Sequence, residues 1–229
     1  MSYRQELETA KKAALAAGQI LLEQKNNLNK SIFSSNTDIK LEADIVAEKL
    51  IKEILSDETS FPILAEESGQ SSDQLSDIFW VVDPLDGTAN YSRNIPICCV
   101  SIALIKNMEP VLGVIYDFSN NDLYEGSVNT SAMQNGLEIK VSDISNQGEG
   151  ILITGIPNKT DYSDETLLKM VKDFQGWRKV RMIGSAAIGS VYIASGKADV
   201  YKESRTYFWD VAAGAAIVQA AGGTALIAN

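Results

Sequence analysis

The chain has 229 residues, enough for one large domain or two small ones, and its 45% hydrophobic and 22% charged residues are the balance of an ordinary globular protein. It contains no histidine, which excludes Ser-His-Asp triads, His-activated cysteines, histidine general bases and His-ligated zinc, and leaves carboxylates, metal ions and water as the available chemistry. With 30 acidic against 20 basic residues the formal charge is −10, which argues against nucleic acid or an anionic membrane as the main partner.

Leu7, Ala10, Ala14, Ala17 and Leu21 recur at helical spacing and predict a helix over residues 3–26, and Ala43, Val46, Leu50 and Ile54 predict a second over 42–55. Residues 26–38 between them are polar and rich in Ser and Asn, with Ile32 and Phe33 the apolar exceptions, and read as a loop. Ile63-Leu64-Ala65 is a short apolar strand running into Glu66 and Glu67, and Trp80-Val81-Val82 another running into Asp83. Strands at 97–105, 111–117 and 122–126 follow as a meander, separated by Asn107, Pro110 and Asn120-Asn121-Asp122. From residue 150 the pattern alternates through strand 150–154, helix 163–173, strand 179–183, helix 185–195, strand 198–202 and helix 209–221, as in an α/β half. Cys98 and Cys99 are neighbours in an apolar stretch, face opposite sides of a strand, and are expected as buried thiols rather than a disulfide. No run has the length of a membrane span and the first residues are polar, so a cytoplasmic protein without membrane contact is expected.

The chemistry concentrates in Trp80-Val-Val-Asp83-Pro-Leu85-Asp86-Gly87-Thr88-Ala-Asn-Tyr91. Asp83 and Asp86, on a turn tightened by Pro84 and Gly87, can converge on one point, and the Leu85 carbonyl between them adds a third oxygen, a donor set suited to a hard cation such as Mg²⁺. An Asp-rich surface turn capping a helix after Gly87 is the other reading of the same residues. Two further carboxylate-bearing element ends, at Glu66-Glu67 and at Trp209-Asp210, favour the cation.

Those motifs carry a resemblance. Trp80 through Tyr91, and Trp209-Asp-x-Ala-Ala-Gly with the Gly222-Gly223 pair that follows, match in order the two signatures of the inositol monophosphatase family, which is Mg²⁺-dependent and lithium-sensitive. The resemblance runs from about residue 5 to the chain end. It implies a layered α/β/α/β/α sandwich with an α+β N-terminal half (residues 1–145) bearing the metal motif and an α/β C-terminal half (146–229) completing the site. It implies two Mg²⁺ ions, or three, with Glu67, Asp83 and the Leu85 carbonyl on the first and Asp83, Asp86 and Asp210 on the second, and Glu66 in support. Thr88 and Asp44 correspond to the pair that orients and activates the nucleophilic water, with Glu67 beside them. Backbone at Gly87 and Thr88 is expected to take the phosphate, and Gly184, Ser185, Ala186, Glu203 and Asp210 to take the alcohol. The chain departs from the family in having Leu41 where a threonine is common, and Phe33 and Ser34 where a lysine is.

The implied function is hydrolysis of a small phosphorylated polyol or sugar, most of all myo-inositol monophosphate, by a cytoplasmic homodimer that binds neither nucleic acid nor membrane. Within the same superfamily, 3′-phosphoadenosine 5′-phosphate phosphatase and fructose-1,6-bisphosphatase are the alternatives, and Ala89-Asn90-Tyr91 after Asp-Gly-Thr speaks against the first. A haloacid-dehalogenase-type phosphatase requires one residue between its two aspartates, and here two intervene. A catalytically silent homologue is expected to have lost an acidic ligand, and none of Glu67, Asp83, Asp86 and Asp210 is missing.

Overall fold

The computed structural model describes residues 3–34, 39–72, 74–156 and 162–227. The chain opens with α1 (Arg4–Glu23), whose buried side is almost all small: Ala10, Ala13, Ala14, Ala17 and Gly18, with Leu21. This lets the helix lie close on the strands beneath it, and a Cβ on Gly18 would stand 2.5 Å from the Tyr116 ring. A single turn, α2 (Lys25–Leu28), leads into an antiparallel ribbon of β1 (Ser31–Ser34) and β2 (Ile39–Leu41). The expected loop is therefore part helix and part strand, with residues 35–38 of it outside the described residues. Next come α3 (Glu42–Glu58), β3 (Ile63–Ala65) and β4 (Gly69–Gln70), then the long strand β5 (Ile78–Asp86), which runs into the short helix α4 (Thr88–Ser92). The meander is present as β6 (Cys99–Lys106), β7 (Glu109–Asp117) and β8 (Asp122–Ser127), extended by the two-residue strands β9 (Met133–Gln134) and β10 (Leu137–Glu138).

These strands form an eight-stranded sheet in the order β10-β9-β8-β7-β6-β5-β3-β4, in which β3 and β5 are parallel and the other pairs antiparallel. Both faces are covered, so β5, β6 and β7 are apolar along nearly their whole length instead of alternating with polar residues. Trp80, Val82, Val100, Ile102, Leu104 and Val114 pack under α1 and α3. Phe79, Val81, Cys99, Ala103, Ile105 and Ile115 point the other way, into a second core. Cys98 and Cys99 fall in different cores and both are free, as the strand geometry requires.

The second half alternates as expected: β11 (Ile151–Thr154), α5 (Asp164–Gln175), β12 (Lys179–Met182), α6 (Ala186–Ala194), β13 (Val200–Tyr201) and α7 (Phe208–Ala220). The three strands form a parallel sheet in the order β12-β11-β13. Helices α6 and α7 lie between the two sheets, built from Ala, Gly and Ile on all sides because they are buried on all sides. A Cβ on Gly214 would meet the Ser190 Cβ at 2.3 Å, and one on Gly113 of β7 the Ala213 carbonyl oxygen at 2.2 Å, so α7 packs backbone-close to both neighbours. From α1 with α3, through the large sheet, α6 with α7 and the small sheet, to α5, which buries no residue, the layers are those of the α/β/α/β/α sandwich. The second core draws residues from both sides of position 145.

Candidate active site

The site is built on an irregularity in β5. Asp83 pairs with Ser101 and Asp86 with Cys99, so three steps along β5 match two along β6. In a regular strand residues three apart face opposite sides; the extra residue, at Pro84-Leu85 where proline cannot donate to the ladder, puts both aspartates on the face of the second core. Gly87 follows with a φ of 88°, and a Cβ there would lie 2.7 Å from the Ile97 carbonyl oxygen. Asp83 and Asp86 therefore meet the starts of α6 and α7, not solvent.

At α6 the Asp86 carboxylate accepts from the Ser185 hydroxyl and, at 2.8 Å, from Ala187 N, and Cys99 Sγ lies 3.7 Å from it. At α7 one oxygen of Asp210 accepts from Tyr207 N at 2.7 Å. Burial, followed by the charges of Glu66, Asp86 and Asp210, pushes Asp83 well above the usual carboxylate range. Burial and then the Asp86 charge raise Asp210 to about 7. Burial also raises Asp86, against the pull of Ser185 and the α6 amides.

The two adjacent glutamates separate. The parallel register of β3 on β5 pairs Ala65 with Val82, and Glu66 N donates to the Val82 carbonyl at 3.1 Å. The next residue on each strand, Glu66 and Asp83, then lie together, and burial with the charge of Glu67 raises Glu66 to about 8, against a hydrogen bond with Asp83. Glu67 turns instead to β2, where its buried carboxylate pairs with Lys40 Nζ at 2.8 Å. This reverses the sequence expectation: Glu66, not Glu67, is set against Asp83, because neighbours leaving a strand project to opposite sides.

Asp44, in the first turn of α3, accepts from Leu41 N at 2.7 Å through one oxygen, and its other oxygen is 3.0 Å from the Thr88 hydroxyl. That hydroxyl is also 3.0 Å from the Leu85 carbonyl oxygen, so its single proton has two acceptors. Burial raises Asp44 to about 6. Leu41, standing where the family commonly has threonine, is compatible with this pair: the cap uses its backbone N–H.

Among the described residues no group of three acidic or thiol side chains is arranged as it stands to enclose an ion; Asp86 is turned to Ser185 and Ala187, and Asp210 to Tyr207. The donor set nevertheless fits hard cations. It is all oxygen, it is buried, and each carboxylate raises the next, an arrangement that loses its cost when positive charge enters.

A cleft of about 810 Å³ opens beside these carboxylates, lined by every residue expected to touch substrate: Gly87, Thr88, Gly184, Ser185, Ala186, Glu203 and Asp210. Glu203 accepts from the Tyr201 hydroxyl at 3.0 Å and lies over Gly155, where a Cβ would come within 2.4 Å of its carboxylate. Asn90 braces the far wall, its amide donating to the carbonyls of Ile97 and Ile183, each at 2.8 Å. No lysine or arginine is among the described residues that line the cleft. Lys40, Tyr201 and the brace by Asn90 are not among the expected site residues. Only the last had a signal, the asparagine of the first motif.

The fold and the carboxylate-lined cleft define a phosphomonoester hydrolase of the layered α/β type, and comparison with known proteins agrees. The chain belongs to the inositol monophosphatase family, whose model matches residues 2–229. It is 39% identical over 216 residues to Nus factor SuhB of Xylella fastidiosa (93% of this chain, 78% of that protein). It is 35% identical over 227 residues to fructose-1,6-bisphosphatase/inositol-1-monophosphatase of Aquifex aeolicus (95% and 83%). The structure of inositol monophosphatase from Anabaena (Nostoc) sp. PCC 7120 superposes with a TM-score of 0.86 at 34% identity, covering 97% of this chain and 83% of that one.

Proposed function

We propose that the protein is a Mg²⁺-dependent phosphatase of small polyol or sugar monophosphates, with myo-inositol monophosphate as its first substrate. The observation that carries this reading is the pairing of a buried carboxylate nest with a cleft that presents a hydroxyl acceptor, Glu203, and no cationic side chain among its described lining residues. A phosphate can enter so negative a site only with cations already there, and a second phosphate on the same substrate finds no cationic side chain among the described lining residues. That favours a single-phosphate substrate over fructose 1,6-bisphosphate or 3′-phosphoadenosine 5′-phosphate.

Glu66, Asp83 and the Leu85 carbonyl would hold one Mg²⁺, and Asp83, Asp86 and Asp210 a second. When bound, the ions supply electrophilic polarisation of the phosphate and acidify water. Thr88 accepts a hydrogen bond from the attacking water while donating to Asp44, which receives the proton; a carboxyl at about 6 is ionised at neutral pH and basic enough for the task. Backbone N–H groups at Gly87 and Thr88 position the phosphate, and Glu203 accepts from a substrate hydroxyl. A cytoplasmic homodimer completes the proposal.

Phosphate release from myo-inositol 1-phosphate, glycerol 2-phosphate, fructose 1,6-bisphosphate and 3′-phosphoadenosine 5′-phosphate in Mg²⁺ tests it. The two monophosphates should be turned over with the higher kcat/KM, and preference for either bisphosphate rejects the substrate class.

A further inference from the structure

Lys40 brings a positive charge into a nest of negative ones. Its Nζ is 2.8 Å from Glu67 Oε2, and the Glu67 side chain is 4% exposed while that of Lys40 is 33% exposed, a cation reaching inward from a half-open position. Glu67 is also fixed from behind, since its backbone N–H donates to the buried Glu48 carboxylate at 2.8 Å. With its backbone held by α3 and its carboxylate by β2, Glu67 is directed away from Asp83, and its neighbour Glu66 takes the inward place. Lys40 further sits one residue before Leu41, whose N–H holds Asp44 at 2.7 Å. The Lys40–Glu67 ion pair thus joins the Glu48 hydrogen bond in tying the segment carrying Asp44 to the turn carrying Glu66.

We infer that Lys40 is a positioning residue of this site: its ammonium anchors and neutralises Glu67, the glutamate that the strand register already turns away from Asp83, and supplies a fixed charge that moderates the affinity of the site for a divalent cation. The inference rests on the metal-dependent reading proposed above. Its consequence is that this site takes up divalent ions less tightly than its carboxylates alone would allow, because Glu67 is already neutralised by a group of the protein itself. Removing a unit charge beside a divalent-ion site changes its affinity by about tenfold or more at the effective dielectric of a half-exposed position.

The test is Mn²⁺ binding at low ionic strength, followed by electron paramagnetic resonance, with the melting temperature of each metal-free variant measured alongside. Lys40→Met should bind Mn²⁺ at least about tenfold more tightly than the wild type and melt lower without metal, since Glu67 is left buried and unpaired. Lys40→Arg should behave as the wild type. Lys40→Met combined with Glu67→Gln should return Mn²⁺ affinity to within about threefold of the wild type, the signature of an effect exerted through Glu67. Glu67→Gln alone keeps the protein testable if Lys40→Met does not fold, and should lower affinity by about tenfold, since the Lys40 charge is left unneutralised, and by far less than Glu66→Gln lowers it. Equal affinity in the wild type and Lys40→Met, or a loss in Glu67→Gln as large as in Glu66→Gln, overturns the inference while leaving metal dependence intact. A wild-type protein that binds no Mn²⁺ at all overturns the metal-dependent reading, and this inference with it.

Discussion

The Thr88 hydroxyl stands 3.0 Å from a carboxylate oxygen of Asp44, joining the first turn of α3 to the first residue of α4, just past the Asp83–Asp86 bulge. The two are 44 positions apart in the chain and adjacent at the edge of the cleft. Asp44→Asn keeps the shape of the side chain and removes its capacity to take a proton, so kcat should fall by about a hundredfold to ten-thousandfold with KM little changed. The same group sets an acid limb, with kcat falling as pH drops through about 6. Steady-state kinetics between pH 5 and 9 check both, and an unaltered acid limb in Asp44→Asn removes Asp44 from the proton path.

Glu66→Gln should cost far more activity than Glu67→Gln, several orders of magnitude against about tenfold, because only Glu66 is set beside Asp83. The ratio of the two kcat/KM values is the measurement. The opposite order restores Glu67 as the ligand.

Burial holds Asp44, Asp210 and Glu66 at about 6, 7 and 8 without metal. A carboxyl raised in the fold keeps a proton that the unfolded chain has released, so its stabilising contribution is complete below the ordinary value near ~4 and is lost as pH rises through its folded value. The metal-free protein should therefore melt lower at pH 8 than at pH 5, by on the order of 5–10 °C, and Mg²⁺ should restore the difference at pH 8. Calorimetry with and without chelator checks this, and a flat profile contradicts the electrostatic account of the nest.

Glu203 accepts from Tyr201 on the cleft wall, and its charge is felt by Asp86 and Asp210, but it hydrogen-bonds to neither of them. Glu203→Gln should lower kcat/KM for myo-inositol 1-phosphate by about tenfold to a hundredfold, the loss expected for a hydrogen bond to a charged acceptor, and leave p-nitrophenyl phosphate nearly unchanged. Equal losses on both esters would mean that Glu203 supports the fold and not the alcohol.

Gly113→Ala tests the packing that brings Asp210 to the sheet. A methyl group 2.2 Å from the Ala213 carbonyl forces α7 away from β7, which should cost about 2 kcal/mol and lower the melting temperature by about 5 °C. An unchanged melting temperature shows that α7 shifts freely.

Much of this site was legible because its residues lie in two contiguous motifs. Trp80 through Tyr91 carries the strand and both aspartates, although the turn expected at Asp83 to Asp86 is a bulge within β5, and Asp210 comes with the helix that the Trp209 motif opens. Periodicity found α1, α3 and the meander, whose burial is extensive, but not the ribbon of β1 and β2, whose first strand is exposed along its whole length, the apolar pair Ile32 and Phe33 included. The placement of Glu67 rather than Glu66 beside Asp83 is not met for a reason intrinsic to sequence: adjacent residues at a strand end project to opposite sides, and which one faces the site depends on the register of β3 on β5. The same limit hid Lys40, since nothing local to residue 40 signals a partner at residue 67.

Whether the Asp83 nest makes a cation-dependent monoesterase is decided by phosphate release from myo-inositol 1-phosphate by wild-type protein and Asp83→Asn, each first stripped with chelator and then titrated with Mg²⁺. The wild type should be silent without metal and active with it, while Asp83→Asn, folded and at least as stable without metal, should stay several orders of magnitude lower at every Mg²⁺ concentration. Phosphate release that persists in chelator, or an Asp83→Asn protein within tenfold of the wild type, would contradict cation-dependent hydrolysis at the nest.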